Sequence, residues 1–99
     1  MQSAYAEQFE REMGCTQAEW LMWLPAAIGA HPWHRDGCSV AVDIASGTLK
    51  LDWRTGEPRV IAMVRLPRLH VNFRFQNLDA DQRFAFMKRF DLYMQRGGG

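Results

Sequence analysis

The first segment of the chain places its apolar side chains four residues apart. Tyr5, Phe9 and Met13 follow this spacing, and mostly charged residues lie between them. Apolar residues that recur at i and i+4 lie on one face of a helix. The pattern therefore predicts an amphipathic helix over residues 3–13, and Gly14 is the residue type that commonly ends a helix.

Two further segments carry capping signals at a predicted first helical turn. Thr16-Gln17-Ala18-Glu19 has the form of a capping box, in which hydroxyl and carboxylate satisfy each other's free backbone donors. The helix that begins there runs into Pro25, which we expect to kink it or to start a new turn. Asp79 with Gln82 predicts the start of the last helix, which we expect to end at Gly97. Its predicted buried positions are Phe86, Met87, Phe90, Tyr93 and Met94, with Phe84 at the margin.

The middle of the chain alternates apolar and polar residues with the period of a β-strand. Apolar side chains occupy every second position over 38–44, beginning at Cys38, and again over 49–53. Ser46-Gly47 is the predicted hairpin turn between them. Glycine and proline residues over 29–37 predict a loop ahead of these strands.

The parity of the apolar positions changes at Pro67. Even positions are apolar over 60–66, and odd positions are apolar over 69–75. A shift of one residue moves every side chain of a strand to the opposite face, so a bulge or a corner at Pro67 would restore the inward orientation. We predict either one long bent strand or two consecutive strands over 59–76.

These elements follow the order α-α-β-β-β(-β)-α. Three or four strands joined by short turns favour an antiparallel meander, and amphipathic helices need an apolar surface to cover. The predicted fold is an α+β two-layer sandwich whose helices pack on one face of the sheet. No linker rich in Gly, Ser or Pro divides the 99 residues, so we expect a single domain over 1–99.

Cysteine content and the N-terminus bear on the compartment. The chain has two cysteines, Cys15 and Cys38, fewer than a disulfide-stapled secreted domain uses. Its N-terminus is polar and acidic, unlike a signal peptide, and no apolar run is long enough to span a membrane. We therefore expect a small soluble protein in the cytoplasm, with free thiols.

Charge is divided unevenly along the chain, although the formal net charge is only +1. Residues 1–58 carry four basic and eight acidic side chains, whereas residues 59–99 carry eight basic and three acidic ones. The near-zero total argues against a nucleic-acid partner. We interpret the two halves as complementing each other within one fold; the alternative is a basic face for an acidic partner.

The densest group of metal-ligand residue types lies in the predicted loop. His31, His34, Asp36 and Cys38 fall within eight residues, and they are ligand types that zinc and other transition metals take. Their spacing matches no standard zinc motif, although Cys15 or His70 could complete a set through the fold. The loop is a candidate metal site; the alternative is a polar loop in which Cys38 is a small buried residue of its strand.

Polar side chains occupy every second position of the last predicted strand. Arg68, His70, Asn72, Arg74 and Gln76 form this row, which we expect to face solvent or a groove. Guanidinium groups suit carboxylate or phosphate, so Arg68, His70 and Arg74 are candidate contacts for an acidic ligand or partner. An ordinary solvated sheet face is the alternative. The row also lacks the aromatic residues on which RNA bases stack.

The helix predicted after Thr16 is apolar on nearly every side. Trp20, Trp23 and Leu24 belong to an apolar run that continues to Ile28. A small domain can hardly enclose a helix completely, so excess apolar surface favours a homodimer or a protein partner. Simple core packing beneath the sheet is the alternative.

The chain ends in three glycines, 97–99. A Gly-Gly end resembles the attachment end of ubiquitin-like carriers, in which the tail follows a strand. Here it follows a predicted helix, which favours an ordinary helix end.

Sequence motifs for catalysis do not decide the function. The chain has no nucleophile elbow, phosphate-binding loop or dinucleotide fingerprint, and we lean away from an enzyme. The leading hypothesis is a non-enzymatic binding or adaptor module that self-associates or docks a protein partner. The alternative is a metal-binding or metal-dependent protein that uses the loop with His31, His34 and Cys38.

Overall fold

The computed structural model describes residues 4–96. Within this range a strand precedes each of the two helices, and five consecutive strands lie between the first helix and the strand that precedes the second. The three glycines of the tail lie outside these residues. The strands are β1 (Gln8–Met13), β2 (Trp33–Asp36), β3 (Ser39–Ile44), β4 (Gly47–Thr55), β5 (Arg59–Ile61), β6 (Val64–Leu66) and β7 (Leu69–Gln76). The helices are α1 (Gln17–Ile28) and α2 (Ala80–Arg96).

Five of these strands form one antiparallel sheet in the order β1-β7-β4-β3-β2. The remaining two, β5 and β6, pair only with each other. Side chains on one face of the sheet are apolar and buried under both helices, so the predicted α+β two-layer architecture is confirmed. Its element order differs from the prediction at β1 and β2. Residues 59–76 form three strands, so the prediction of one bent strand or two consecutive strands there is wrong.

Aromatic side chains join the helices to the sheet. Trp20 of α1 lies edge-on to Trp53 of β4, with ring centroids 5.6 Å apart, and to Phe90 of α2, at 5.9 Å. Phe90 in turn meets Phe73 of β7 in a perpendicular arrangement at 5.6 Å. Such edge-to-face contacts add about 0.5–1.5 kcal/mol beyond the burial of area.

The two predicted capping signals both form. Thr16 accepts a hydrogen bond from the Glu19 amide at 3.1 Å, and its own amide donates to the Glu19 carboxylate at 2.9 Å. Asp79 and Gln82 make the same reciprocal contact at the start of α2. Helix α1 continues through Pro25 to Ile28, and α2 buries the predicted positions 86, 87, 90 and 94.

The predicted first helix is wrong, because its central and last residues form the edge strand β1. Phe9 stacks on Phe73 of the neighbouring strand at 4.7 Å. Residues four apart lie on the same face of a helix, and they also lie on the same face of a strand. The spacing of Tyr5, Phe9 and Met13 therefore fits both structures, and the open edge of β7 selects the strand.

The predicted loop over 29–37 contains the short strand β2, which pairs with β3. All four of its residues are exposed, so it lacks the apolar alternation by which a strand is identified. Cys38 follows β2 in the turn and is exposed, so the expectation of a buried thiol at this position is wrong. Cys38 continues the alternation of Val40 and Val42, whose side chains point into the core, but it lies beyond the end of that core.

The hairpin between β3 and β4 turns one residue earlier than predicted. Ala45 and Ser46 form the turn, and Gly47 already pairs with Ile44. A Cβ atom on Gly47 would lie 2.3 Å from the carbonyl oxygen of Gln76, a distance that real Cβ atoms do not adopt. Gly47 is therefore required by close backbone packing and not by the turn itself.

A polar network ties the edge strand β1 to helix α2. The Tyr5 hydroxyl donates to Asp91 at 2.7 Å, and Arg11 forms an ion pair with the same carboxylate. The Arg11 guanidinium also lies over the Phe73 ring, 5.2 Å from its centroid. Burial and the contact with Asp91 raise the pKa of Tyr5 to about 12. The hydroxyl therefore stays protonated and keeps donating at neutral pH.

Within residues 4–96, neither helix combines the length and the apolar character needed to cross a membrane.

Candidate interaction site

The hairpin β5–β6 extends the β4–β7 pair beyond the end of the sheet. Thr55 pairs with Leu69, and the Gly56 amide donates to the Arg68 carbonyl at 2.9 Å. Pairing then resumes between Arg59 and Leu66. Three residues on the outgoing side, 56–58, face two on the returning side, 67–68. A bulge or corner at Pro67 was predicted, but the extra residue lies on the opposite segment, within 56–58. We call residues 59–66 the arm.

Arginine side chains fix the base of the arm. Arg68 donates from Nε to the Glu57 carbonyl at 2.7 Å and from Nη1 to the Glu12 carboxylate at 3.2 Å. Arg59 approaches the same carboxylate at 3.9 Å. Exposed ion pairs of this kind contribute little to stability, typically about 0–1 kcal/mol. The hydrogen bond of Arg68 to backbone, by contrast, orients the two segments that lead into the arm.

Large apolar side chains of the arm are open to solvent. Met63 at its tip is 98% exposed, and Val60, Ile61, Val64 and Leu66 are also exposed. No residue between Trp53 and Leu69 belongs to the buried core. Exposed apolar side chains on a protruding hairpin with no core beneath them make the arm a candidate interaction site.

The cross-strand pairs distribute this apolar surface over both faces of the arm. Paired residues of an antiparallel hairpin project to the same side. Ile61 pairs with Val64 on one face, where Arg59 is paired with Leu66, and Val60 pairs with Arg65 on the other. Each face therefore presents aliphatic side chains beside an arginine.

Helix α1 provides a second exposed apolar surface. Its solvent-facing positions are Ala18, Met22, Pro25 and Ala26, all exposed and none polar, and we call them the α1 outer face. The corresponding positions of α2 include Asp81, Lys88 and Gln95. An outer helix face without polar residues is the exception on a domain of this size.

Three side chains of α1 were predicted to contact a partner, and two of them are not at the surface. Trp20 is 0% and Leu24 is 1% exposed, because both side chains pack into the layer between helices and sheet. Trp23 is half-buried against that core. The apolar excess of this helix lies instead on its outer face, at Met22.

The predicted metal-binding residues do not come together. The ring of His31 lies 5.6 Å from that of Phe86 on α2, whereas His34 and Asp36 face the open side of the sheet beside Lys50 and Asp52. Cys38 donates from its thiol to the Gln17 side chain at 3.7 Å. Among residues 4–96, no three His, Cys, Asp or Glu side chains converge on a common point. The geometry therefore gives the metal hypothesis no site.

The polar row of β7 lies on the open face of the sheet, as expected. His70, Asn72, Arg74 and Gln76 alternate with the buried residues of that strand, while Arg68 precedes the strand and holds the arm. The register places Arg74 opposite Lys50 and Asn72 opposite Asp52. In the part of the chain that the structure describes, Arg74 has no carboxylate within ion-pair distance. The face as a whole mixes both charges.

The arm residues are the functional candidates that sequence reasoning missed. Residues 60–64 are apolar at even and odd positions alike, which is unusual for a strand with one buried face. That break in alternation was available as a signal. The turn at Ala62-Met63 could not be predicted from the sequence, because neither residue type favours a turn. Ala62 nevertheless adopts a positive φ of 54°.

A comparison of the chain with protein families, with curated proteins and with solved structures finds no match. Its function must therefore be inferred from the surfaces of this chain alone.

Proposed function

We propose that this protein is a non-enzymatic binding module that docks a protein partner through the arm. The observation that carries the proposal is the exposure of large apolar side chains on an eight-residue hairpin that contributes nothing to the core. Evolution toward solubility alone would favour charged residues at such positions. Their apolar character is explained when a partner covers them.

The hairpin structure favours a protein partner over a lipid surface. Both outer edges of the arm carry backbone N–H and C=O groups that no other strand within residues 4–96 pairs. Such groups cost several kcal/mol each in hydrocarbon, whereas a protein partner can pair with them by adding a strand. Arg59 and Arg65 also lie among the apolar residues, where carboxylates of a partner can meet them.

We further propose that the module works in a reducing compartment such as the cytoplasm. Cys15 and Cys38 are both free, and Cys15 is enclosed in the core. Disulfides are the usual device by which small secreted domains gain stability. This core offers another source of stability, because it buries three large aromatic residues with less than 2% exposure: Trp20, Phe73 and Phe90.

The proposal is tested by photocrosslinking in the native host. The photoreactive residue p-benzoylphenylalanine replaces Met63 in one version of the chain and Lys50, exposed on the open sheet face, in the control version. We expect position 63 to form an adduct with a protein of defined mass and position 50 to form none. Adding Val64→Asp to the position-63 version should abolish the adduct, because a carboxylate in the apolar contact is unpaired.

Three results would contradict the proposal. One is the absence of protein adducts from position 63 above the level seen at position 50. Another is an adduct to lipid only, which would assign the arm to a membrane surface. An adduct that survives Val64→Asp counts as non-specific and also contradicts it.

A further inference from the structure

We infer that the partner of the arm is an extended acidic segment of a protein, and that this segment adds as a third strand along the open edge of β6. In that position a carboxylate of the segment meets Arg65, and aliphatic side chains of the segment lie beside Val64 and Leu66. This inference rests on the proposed function, because it names the chemistry of the occupant of the same site.

The arm and its base carry an excess of positive charge. Residues 56–68 contain three arginines and a single acidic residue, Glu57. At the base, Arg59 and Arg68 approach the same carboxylate, that of Glu12, at 3.9 and 3.2 Å. One carboxylate that is shared by two guanidinium groups does not neutralise both, so charge complementarity favours an acidic partner over a basic one.

Arg65 is the arginine of the arm that no carboxylate of the chain compensates. Its side chain is exposed, and within residues 4–96 it has no ion-pair partner. Its cross-strand neighbour is the aliphatic Val60, so apolar surface adjoins the guanidinium. A partner that covers this surface excludes water from it, which strengthens an ion pair between Arg65 and a carboxylate of the partner.

The backbone of Arg65 is also open to a partner. Ile61 and Val64 flank the two-residue turn and pair with each other, and residues that close such a turn exchange their hydrogen bonds. The next pair, Val60 and Arg65, therefore points its N–H and C=O groups toward the outer edges of the arm. A strand added along β6 bonds to the Arg65 backbone and places one of its own side chains beside the guanidinium.

The edge of β6 suits an acidic strand better than the edge of β5. Arg65 belongs to β6, whereas the arginine of β5, Arg59, already lies near Glu12. Val64 and Leu66 project to the face opposite Arg65, because side chains alternate along a strand. At the base of the arm, β1 already occupies the edge of β7. The expected segment is therefore short and alternates aliphatic with acidic residues.

The experiment uses the chain that carries p-benzoylphenylalanine at position 63, together with two variants that each reverse the charge of one arginine. Arg65→Glu acts on the arm. Arg74→Glu is the matched control, because Arg74 is exposed on the open sheet face and also lacks an ion-pair partner within residues 4–96. We expect Arg65→Glu to lower the yield of the protein adduct at least about tenfold and Arg74→Glu to leave it unchanged. Circular dichroism checks that both variants fold.

The adduct also reports the chemistry of the partner directly. Tandem mass spectrometry of the peptide attached to position 63 should show Asp or Glu alternating with aliphatic residues. A synthetic peptide of the same sequence is then added to the ¹⁵N-labelled chain. It should slow the exchange of the Arg65 amide with water at least about tenfold and leave that of the Val60 amide unchanged, as measured by NMR.

Three outcomes overturn the inference while the proposed function stands, because in each of them the arm still captures a protein. The first is an adduct whose yield falls no further in Arg65→Glu than in Arg74→Glu. The second is an attached peptide without acidic residues, and the third is an Arg65 amide that the peptide does not protect. If position 63 forms no protein adduct above the level at position 50, the proposed function fails, and this inference fails with it.

Discussion

Two tryptophans occupy the centre of the core with their indole N–H groups unpaired. Neither Nε1 of Trp20 nor Nε1 of Trp53 has a hydrogen-bond acceptor among the described residues. An unpaired buried donor costs about 1–3 kcal/mol, which the large apolar area of each ring offsets. Trp20 therefore serves as a packing residue. Trp20 is enclosed in the core, although tryptophan is a residue type that is enriched at protein interfaces.

The two thiols differ in environment, and this predicts different reactivity. Burial, with a smaller effect from the Glu19 carboxylate, raises the pKa of Cys15 to about 11, and its side chain is fully enclosed. Cys38 is exposed. We expect Ellman's reagent at neutral pH to modify the exposed thiol of Cys38 quickly and the enclosed thiol of Cys15 only at the rate of unfolding. Absorbance kinetics in buffer and in guanidinium chloride measure this.

A single substitution assigns the phases of that reaction. In Cys38→Ser the fast phase should disappear, and the slow phase should remain and become fast in denaturant. Equal rates for both thiols in the native protein would show that the core around Cys15 is open to solvent.

Helix α1 depends on its first turn for a defined start. The capping box joins Thr16 and Glu19 through two hydrogen bonds that involve backbone amides. Thr16→Ala removes the one that the hydroxyl accepts from the Glu19 amide and leaves the amide of residue 16 free to donate to the carboxylate. We expect this variant to lower the free energy of unfolding by about 1 kcal/mol, within a range of roughly 0.5–2. Urea denaturation followed by circular dichroism gives the difference. Thr16→Ser keeps the hydroxyl and serves as the control; equal losses in the two variants would contradict a capping role.

Elements with local signals could be predicted from the sequence. The capping residues Thr16 and Asp79 give the starts of both helices, because the contacts they make span only three residues. Strands β3, β4 and β7 were predicted from alternation, since each buries one face under the helices. In these segments the local pattern and the tertiary environment agree.

Elements whose structure depends on distant neighbours could not be predicted in this way. Strand β1 exists because β7 offers it an edge, and the spacing of Phe9 and Met13 fits a helix equally well. Strand β2 has no buried residue and thus no alternation. The turn of the arm at Ala62-Met63 lacks glycine and asparagine, so nothing local distinguishes it from a continuous strand.

At the scale of the whole molecule, the buried core and the proposed interaction site lie in separate parts of the chain. The principal extents of 47, 30 and 21 Å describe an elongated shape, and the arm makes its strand pairing only within itself. Residues 60–66 are exposed because no other part of the folded chain within residues 4–96 packs over them, and the sequence of this segment does not show that. For that reason the sequence did not single out the arm, although its residues are visibly apolar, and it did not show that Trp20 is enclosed in the core.

The separation predicts that the fold survives removal of the arm. Replacing residues 56–68 with Asn-Gly joins Thr55 to Leu69, which already pair across the hairpin, through a two-residue turn that suits the twist of the flanking strands. No core residue is removed. Compared with the full-length chain, the melting temperature should change by less than about 5 °C, the shift that roughly 1 kcal/mol produces at this size.

The same replacement should abolish every interaction that depends on the arm. Glu12 loses its contacts with Arg59 and Arg68 in this variant, but exposed ion pairs add little to stability, so cooperative unfolding should persist. A shortened chain that fails to fold, while Met63→Asp folds normally, would show that the arm is part of the folding unit. A shortened chain that folds and still binds the protein partner of the full-length chain would place the contact elsewhere on the molecule.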